Sequence, residues 1–485
     1  MLTAPRVATR RRAFVPGLLA IGMVVSVISS LGAPLIPTIA HELHSSLSAT
    51  QWSLTATLLV GAVASPLVGR LGDGPHRRST LLVCLALVTL GGAIAALAGT
   101  LPILVAGRAL QGLGLALMPL TMASARDHLP ARRAGEVIAL LSVIAAVGVG
   151  LGYPITGFIA EHFDASAAFW FGAIASAAAF LVALLVVPAP SQVERHGTVD
   201  LAGAVLIGGG VLALLLAVEK GPDWGWGSTS TLGLLLASVI LLVLWTIVEL
   251  RIERPLVELR LVRRPAVLAA NATGLILGVA MYLGISLITQ VVQLPTGMGR
   301  TVFAAGLTLL PLSALSTVST RLMPVVRERV GRRWTVPIGA TTIAVAMAFF
   351  AATGHALWQA FVTMGIVGLG LGFTFAALPG LIVSSVPVEE TSSAMSFYQV
   401  TRYVGFSIGS GLAVTLLRAF DGGAALPSTG AYSKTFLVGA CLCLVAAVVA
   451  WAMTPAAALD RADDDIRAIE EGELAAAGLP MLEEG

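Results

Sequence analysis

Charge is what this chain has least of. Of its 485 residues, 11% are Asp, Glu, Lys or Arg and 57% are hydrophobic. Soluble domains carry about 25% charged residues, so an ordinary soluble enzyme is excluded. A disordered chain, polar and charge-rich, is excluded for the same reason. Cysteine is nearly absent: Cys84, Cys441 and Cys443 all lie inside apolar runs. That rules out a disulfide scaffold and reads as small buried hydrophobes. The net charge of +3 is too balanced to imply nucleic acid as a partner. No metal-ligand spacing, nucleotide loop or nucleophile motif occurs. Neither an enzyme, nor a metal, nor a cofactor is therefore expected.

What the chain does have is long apolar runs, with a mean hydropathy of +0.91. A helix needs about 20 apolar residues to cross a bilayer. Fourteen such runs are present, from 14–36 to 434–453. They show no alternation of period two, which excludes a β-barrel. The loops give the orientation. With the N-terminus in the cytoplasm, 23 basic residues fall on that side and four on the other. The positive-inside rule then sets both termini in the cytoplasm. The expected fold is an all-α polytopic membrane protein with 14 transmembrane helices, in the cell inner (plasma) membrane.

The spans divide into blocks. Residues 1–192 read as an N-terminal six-helix bundle and 193–250 as an inserted helix pair. Residues 251–265 read as a basic, amphipathic connector on the membrane surface. A C-terminal six-helix bundle (266–455) and an acidic tail (456–485) follow. The two bundles share a short repeat after their second spans. Asp73 precedes Arg77 and Arg78 in one, and Glu328 precedes Arg332 and Arg333 in the other. Pseudo-symmetric halves with a site between them are a transporter architecture.

Several motifs resemble the major facilitator superfamily. Gly69-Arg-Leu-Gly-Asp73 with Arg77-Arg78 resembles its signature loop, and Leu104 to Gly114, containing Arg108 and Gln111, its fourth-span motif. Gly148 to Gly157, with Gly152 and Pro154, resembles the glycine-proline motif of its antiporters. Asp200-Leu-Ala-Gly203 and Glu253 to Arg260, flanking the extra helix pair, resemble the fourteen-span drug:proton antiporter branch. The resemblance implies a two-bundle exporter of small molecules driven by inward proton flow. One departure stands out. The branch carries an aspartate in its first span, where this chain reads Val27-Ile28-Ser29-Ser30 before Pro34.

The residues themselves suggest roles. An arginine within a span costs roughly 2.5–3.5 kcal/mol to insert, so Arg108 and Arg402 are expected to line a polar cavity. Gln111, Asn271, Gln290, Gln293 and Tyr398 are polar groups that need partners inside the bundle. Gly69, Asp73, Arg77 and Arg78 are expected to form a conformational switch, with Asp73 at a helix N-terminus. Gly148, Gly152, Pro154 and Gly157 are expected to form a close helix seam. Coupling is the open point, because every acid lies in a loop, in the tail or near a helix end. Glu136 and Asp73 are the first candidates to carry the proton. Alternatively the substrate carries the charge, or the carrier is an uncoupled facilitator. The expected partners are a small-molecule substrate, protons and the lipid bilayer, with the protein monomeric. A nutrient or metabolite importer of the same architecture is the competing reading.

Overall fold

The structure, a computed structural model, describes residues 4–453 except 73–75, 130, 189–199, 253–254, 256, 355, 384, 387–390 and 422–426. All regular structure in the described residues is helical. Apolar runs without internal turn signals have no other way to satisfy their backbone in lipid.

The chain begins with α1 (Ala4–Ser29), a short α2 (Ile36–Glu42), α3 (Leu47–Leu71) and α4 (Arg77–Ala96). Then come α5 (Leu101–Gly112), α6 (Leu117–His128), α7 (Ala131–His162) and α8 (Ala165–Val186). A hairpin of α9 (Leu201–Trp224) and α10 (Thr229–Glu249) leads through α11 (Leu259–Val262) to α12 (Pro265–Gln293). The last part holds α13 (Val302–Thr308), α14 (Leu310–Val330), α15 (Arg332–Thr353), α16 (Leu357–Val383), α17 (Thr391–Asp421) and α18 (Thr429–Met453). Among the described residues, ten helices are long and apolar enough to cross a membrane. Helix starts are capped locally. Asp164 accepts from the Ala167 N–H at 2.5 Å, Asp200 from Gly203 at 2.8 Å and Thr301 from Ala304 at 3.2 Å. Each removes one unsatisfied donor of the first turn.

Three apolar runs are less simple than they read. The first, 14–36, ends as helix at Ser29 and turns at Gly32, whose φ of 143° suits only glycine. The fourth is interrupted by a 3-10 turn, Leu113–Ala116, and the tenth breaks at Leu309, ahead of Pro311. The connector is anchored to the hairpin before it. Among its described residues, only Leu259–Val262 is helical. Val257 is fully buried and donates its N–H to the Glu249 carboxylate at 2.5 Å. A buried donor needs a partner, and this one ties the connector to the foot of α10.

Two cores form. One gathers α1 and α4–α8 around residues such as Leu18, Leu85 and Phe169. The other gathers α12–α18 around Leu283, Met347 and Phe436, and takes in Leu54 and Leu58 of α3. The α9–α10 hairpin lies along α3 and α17. There Leu59, Ile207, Val211 and Val400 share a cluster, and Trp245 stacks on Phe397 at 6.2 Å. The Asp223–Arg418 ion pair and Lys220 over Trp52 at 5.6 Å close the far end of this contact.

The short sequence repeat has a geometric counterpart. Arg78 donates to the Leu184 carbonyl at 2.8 Å, two residues before α8 ends. Arg333 donates to the Trp451 carbonyl at 3.2 Å, two residues before α18 ends. A cation is favoured at such carbonyls. The face carrying Arg77, Arg78 and Arg333 is termed the basic face below, and the other the opposite face.

Candidate functional site

Arg108 sits on α5, and its side chain is 1% exposed. Its Nε donates to the Ser53 carbonyl at 3.2 Å and its Nη1 to Gln111 Oε1 at 2.7 Å. The Thr57 hydroxyl donates to the Arg108 carbonyl at 3.0 Å, tying α3 to α5. The guanidinium lies 5.8 Å from the Phe169 ring centre. Its Nη2 points at Gly32, where a Cβ would come within 2.8 Å. Neither Arg108 Nη2 nor Gln111 Nε2 has a hydrogen-bond partner. A buried charge with an unused donor is strained electrostatically, since desolvation is only partly repaid. The expected pair Arg108–Gln111 is thus brought together.

Arg402, on α17, is half-buried in a box of rings. Its guanidinium carbon lies 5.1 Å from the Phe375 ring centre, 5.6 Å from Phe406, and 5.7 Å from both Tyr398 and Tyr403. Cation–π attraction replaces part of the lost hydration. Tyr282 of α12 extends the box by stacking on Phe406 at 4.4 Å. Tyr403 crosses to the other core, donating to the Leu115 carbonyl at 3.3 Å. Arg402 Nε has no hydrogen-bond partner. Arg108 is enclosed, whereas Arg402 keeps part of its surface open. A small cavity among the described residues lies elsewhere, lined by Val291, Phe350, Tyr432 and Phe436 near the opposite face.

A second polar group lies between the cores on the opposite-face side. The Gln51 amide, fully buried on α3, donates to Ser410 Oγ at 2.5 Å and more weakly to Ser286 Oγ at 3.4 Å. Gln290 joins through Ser286 Oγ at 3.0 Å. Gln293 donates to the Pro34 carbonyl at 3.0 Å, and Glu161 accepts from the Phe303 N–H at 3.2 Å. Gln290 and Gln293 therefore belong to this seam rather than to the arginine region. Asn271 stands apart and bonds its own helix, Nδ2 to the Val267 carbonyl at 2.8 Å.

The glycine motif of α7 faces two ways. A Cβ on Gly148 would meet Ser26 at 2.6 Å, and one on Gly152 would meet the Val27 carbonyl at 2.9 Å, both on α1. One on Gly157 would meet the Val302 carbonyl at 2.8 Å, and one on Gly150 would strike Ser313, both in the other core. The helix runs through Pro154 without a break.

In the loop cluster the described contacts of the arginines are to backbone carbonyls. Arg77 donates to the Gly72 carbonyl at 2.8 Å and to the Ala123 carbonyl at 3.1 Å, while Arg78 takes Leu184. Free helix-end carbonyls offer these arginines fixed partners. Gly69 lies in the last turn of α3. Asp73 and the Glu136 side chain lie outside the described residues.

Sequence reasoning missed Gln51, Ser286, Ser410, Tyr282, Phe375 and Phe406. Gln51 carried the one available signal, as an amide at the start of an apolar run. The rings carried none, because an aromatic in such a run reads as core or lipid contact.

A sequence profile described as Major Facilitator Superfamily matches residues 18–410 and 322–469. A Streptomyces glaucescens protein named tetracenomycin C resistance and export protein is 30% identical over 414 residues, covering 83% of this chain and 76% of that one. Multidrug resistance protein Stp of Mycobacterium tuberculosis is 26% identical over 373 residues, covering 76% and 69%. An uncharacterised MFS-type transporter of the same organism is 26% identical over 413 residues; the match covers 84% of this chain but 59% of that longer one. Among solved structures, a bacterial homologue of the human lysosomal transporter Spinster superposes with a TM-score of 0.65 at 15% identity, covering 95% of this chain and 99% of that one. At that identity the likeness is one of fold.

Proposed function

The chain belongs to the major facilitator superfamily, and from that premise we propose that it exports amphipathic small molecules, drugs or antibiotics among them, by alternating access. It is a membrane-spanning transporter of small molecules. The finer reading is a monomer with fourteen spans in the inner membrane and both termini cytoplasmic. Bundles at 1–192 and 266–455 rock about a central site, with the 193–250 pair, the 251–265 connector and the 456–485 tail as additions. Proton antiport through Glu136 or Asp73 is the proposed drive.

One observation carries this reading. The described hydrogen bonds between the two cores, from Gln51, Gln293, Glu161 and Tyr403, lie at mid-depth or nearer the opposite face. With the basic face cytoplasmic, they seal the outside beyond Arg108 and Arg402. Such a seam, of side-chain hydrogen bonds and glycine contacts, can part and re-form, because each bond contributes only about 0.5–1.5 kcal/mol net. Export direction is supported by the names of the relatives.

The test is accumulation of a dye and an antibiotic in cells with and without the protein, repeated after the proton gradient is collapsed. Lower accumulation with the protein, reversed by collapse, is expected. Equal accumulation in every arm refutes export. Uncoupled facilitation is the second reading. It is favoured by one feature: no described carboxylate lies in the middle of a long helix.

A further inference from the structure

Arg108 and Arg402 are two positive charges in the membrane-embedded interior. No carboxylate among the described residues pairs with either, and the described ion pairs all lie at helix ends. The two belong to one region. Tyr403, next to Arg402 in the chain, bonds Leu115 on the turn that follows the Arg108 helix. Tyr282 stacks at 4.4 Å on Phe406, one of the rings around Arg402.

Both cations are also unsaturated. Arg108 Nη2 and Arg402 Nε are buried donors without acceptors. Their shared need is an anion, since a carboxylate or phenolate oxygen accepts several such bonds and the charge strengthens each. A cationic cargo would meet two like charges in a medium that screens poorly. The rings add shape. Tyr282, Phe375, Phe406 and Tyr403 present flat faces around Arg402, and flat rings pack there by offset or edge contact.

We infer that the cargo is a planar aromatic molecule carrying a negative charge, its anionic group between Arg108 and Arg402 and its ring against the Tyr282–Phe406 stack. This rests on the transport reading and names its substrate class. The guanidinium of Arg402 fills the box in the absence of cargo, and an arriving anion takes its free N–H while the rings turn to the cargo.

The experiment uses three probes of one shape: naphthoate, naphthylmethanol and naphthylmethylammonium. Binding to the purified full-length protein is measured by calorimetry, and counterflow is measured in proteoliposomes. Naphthoate is expected to bind and move in preference to the other two. Arg108→Gln and Arg402→Gln each lower naphthoate affinity by roughly tenfold or more, the worth of a charge-assisted hydrogen bond. Arg402→Lys keeps the charge and retains the preference. Equal or better handling of the ammonium probe overturns the inference and leaves export standing. Preferential binding of naphthoate without counterflow, while cells still exclude dye, overturns the inference that such an anion is cargo and leaves export standing. No binding of any probe, while cells still exclude dye, overturns the inference.

Discussion

Replacing Gln51 with leucine should loosen the opposite-face seal by a calculable amount. Gln51 is fully buried and makes the shortest polar contact between α3 and α17, 2.5 Å to Ser410 Oγ, with longer ones to the Ser410 carbonyl and Ser286 Oγ at 3.4 Å. Hydrogen bonds between membrane helices are worth about 0.6 kcal/mol on average and at most about 1.7. Leucine is close in volume and leaves no orphan amide. The two serines can turn to their own helix carbonyls, so no large desolvation penalty is added. The closed state should therefore lose about 0.6–1.7 kcal/mol, a shift of roughly 3- to 18-fold toward opening at that face. The assay is the rate of thiol labelling of a reporter, Thr289→Cys, which is fully buried one turn from Ser286. Cys84, Cys441 and Cys443 are first replaced by serine. A rate that rises within that range supports the seam. An unchanged rate, with thermal stability also unchanged, would show that the hydrogen bonds do not hold the face shut.

Three more substitutions separate rigid from moving parts. Gly152→Leu puts side chain against the Val27 carbonyl and the Ser30 hydroxyl within one core, and overpacking costs about 1–3 kcal/mol; a lower melting temperature and lower yield are expected. Gly150→Leu clashes instead with Ser313 across the seam, so it should fold normally yet expose Thr289→Cys to labelling; protection equal to the parent would refute the two-sided motif. Arg333→Ala loses the exposed bond to the Trp451 carbonyl and the stacking on the Trp451 ring at 4.7 Å; a change of about 1 kcal/mol or less in denaturant stability is expected, with transport retained.

The elements that sequence disclosed are those whose signal is local. A run of apolar residues is a span because lipid leaves the backbone no alternative, and an arginine in such a run is conspicuous at once. Partners were hidden because they are carbonyls and rings contributed by distant helices. Arg108 is held by the backbone of Ser53, and nothing in the string around residue 53 announces a carbonyl aimed at a cation. The glycine motif was half legible. Positions 148 and 152 share a helix face, as four-residue spacing requires, whereas 150 and 157 lie on the reverse side. They gained their meaning only when the other core was placed against them. The carbonyl partners of Arg77 and Arg78 show the same limit, because Ala123 and Leu184 belong to helices that end nearby only in the fold.

Where the described charges lie offers a second candidate for the drive beside proton antiport. Proton antiport needs a group that gains and loses a proton at depth, and among the described residues the middles of the long helices hold arginines and no acids. An anionic cargo changes the arithmetic. Moving one negative charge out of a cell whose interior is negative releases about 2.3 kcal/mol per 100 mV, which supports an outward gradient of about 50-fold. No protein carboxylate has to titrate for that to happen. Proteoliposomes loaded with naphthoate, with the potential set by potassium and valinomycin, separate the two drives. If the charge of the cargo alone supplies the drive, an inside-negative potential at equal pH accelerates efflux and a pH gradient at zero potential does not; if proton antiport supplies it, the pH gradient accelerates efflux. The reverse pattern would refute the electrical drive and direct attention to Glu136 and Asp73, whose replacement by Gln and Asn should then abolish the pH response while leaving binding of naphthoate intact.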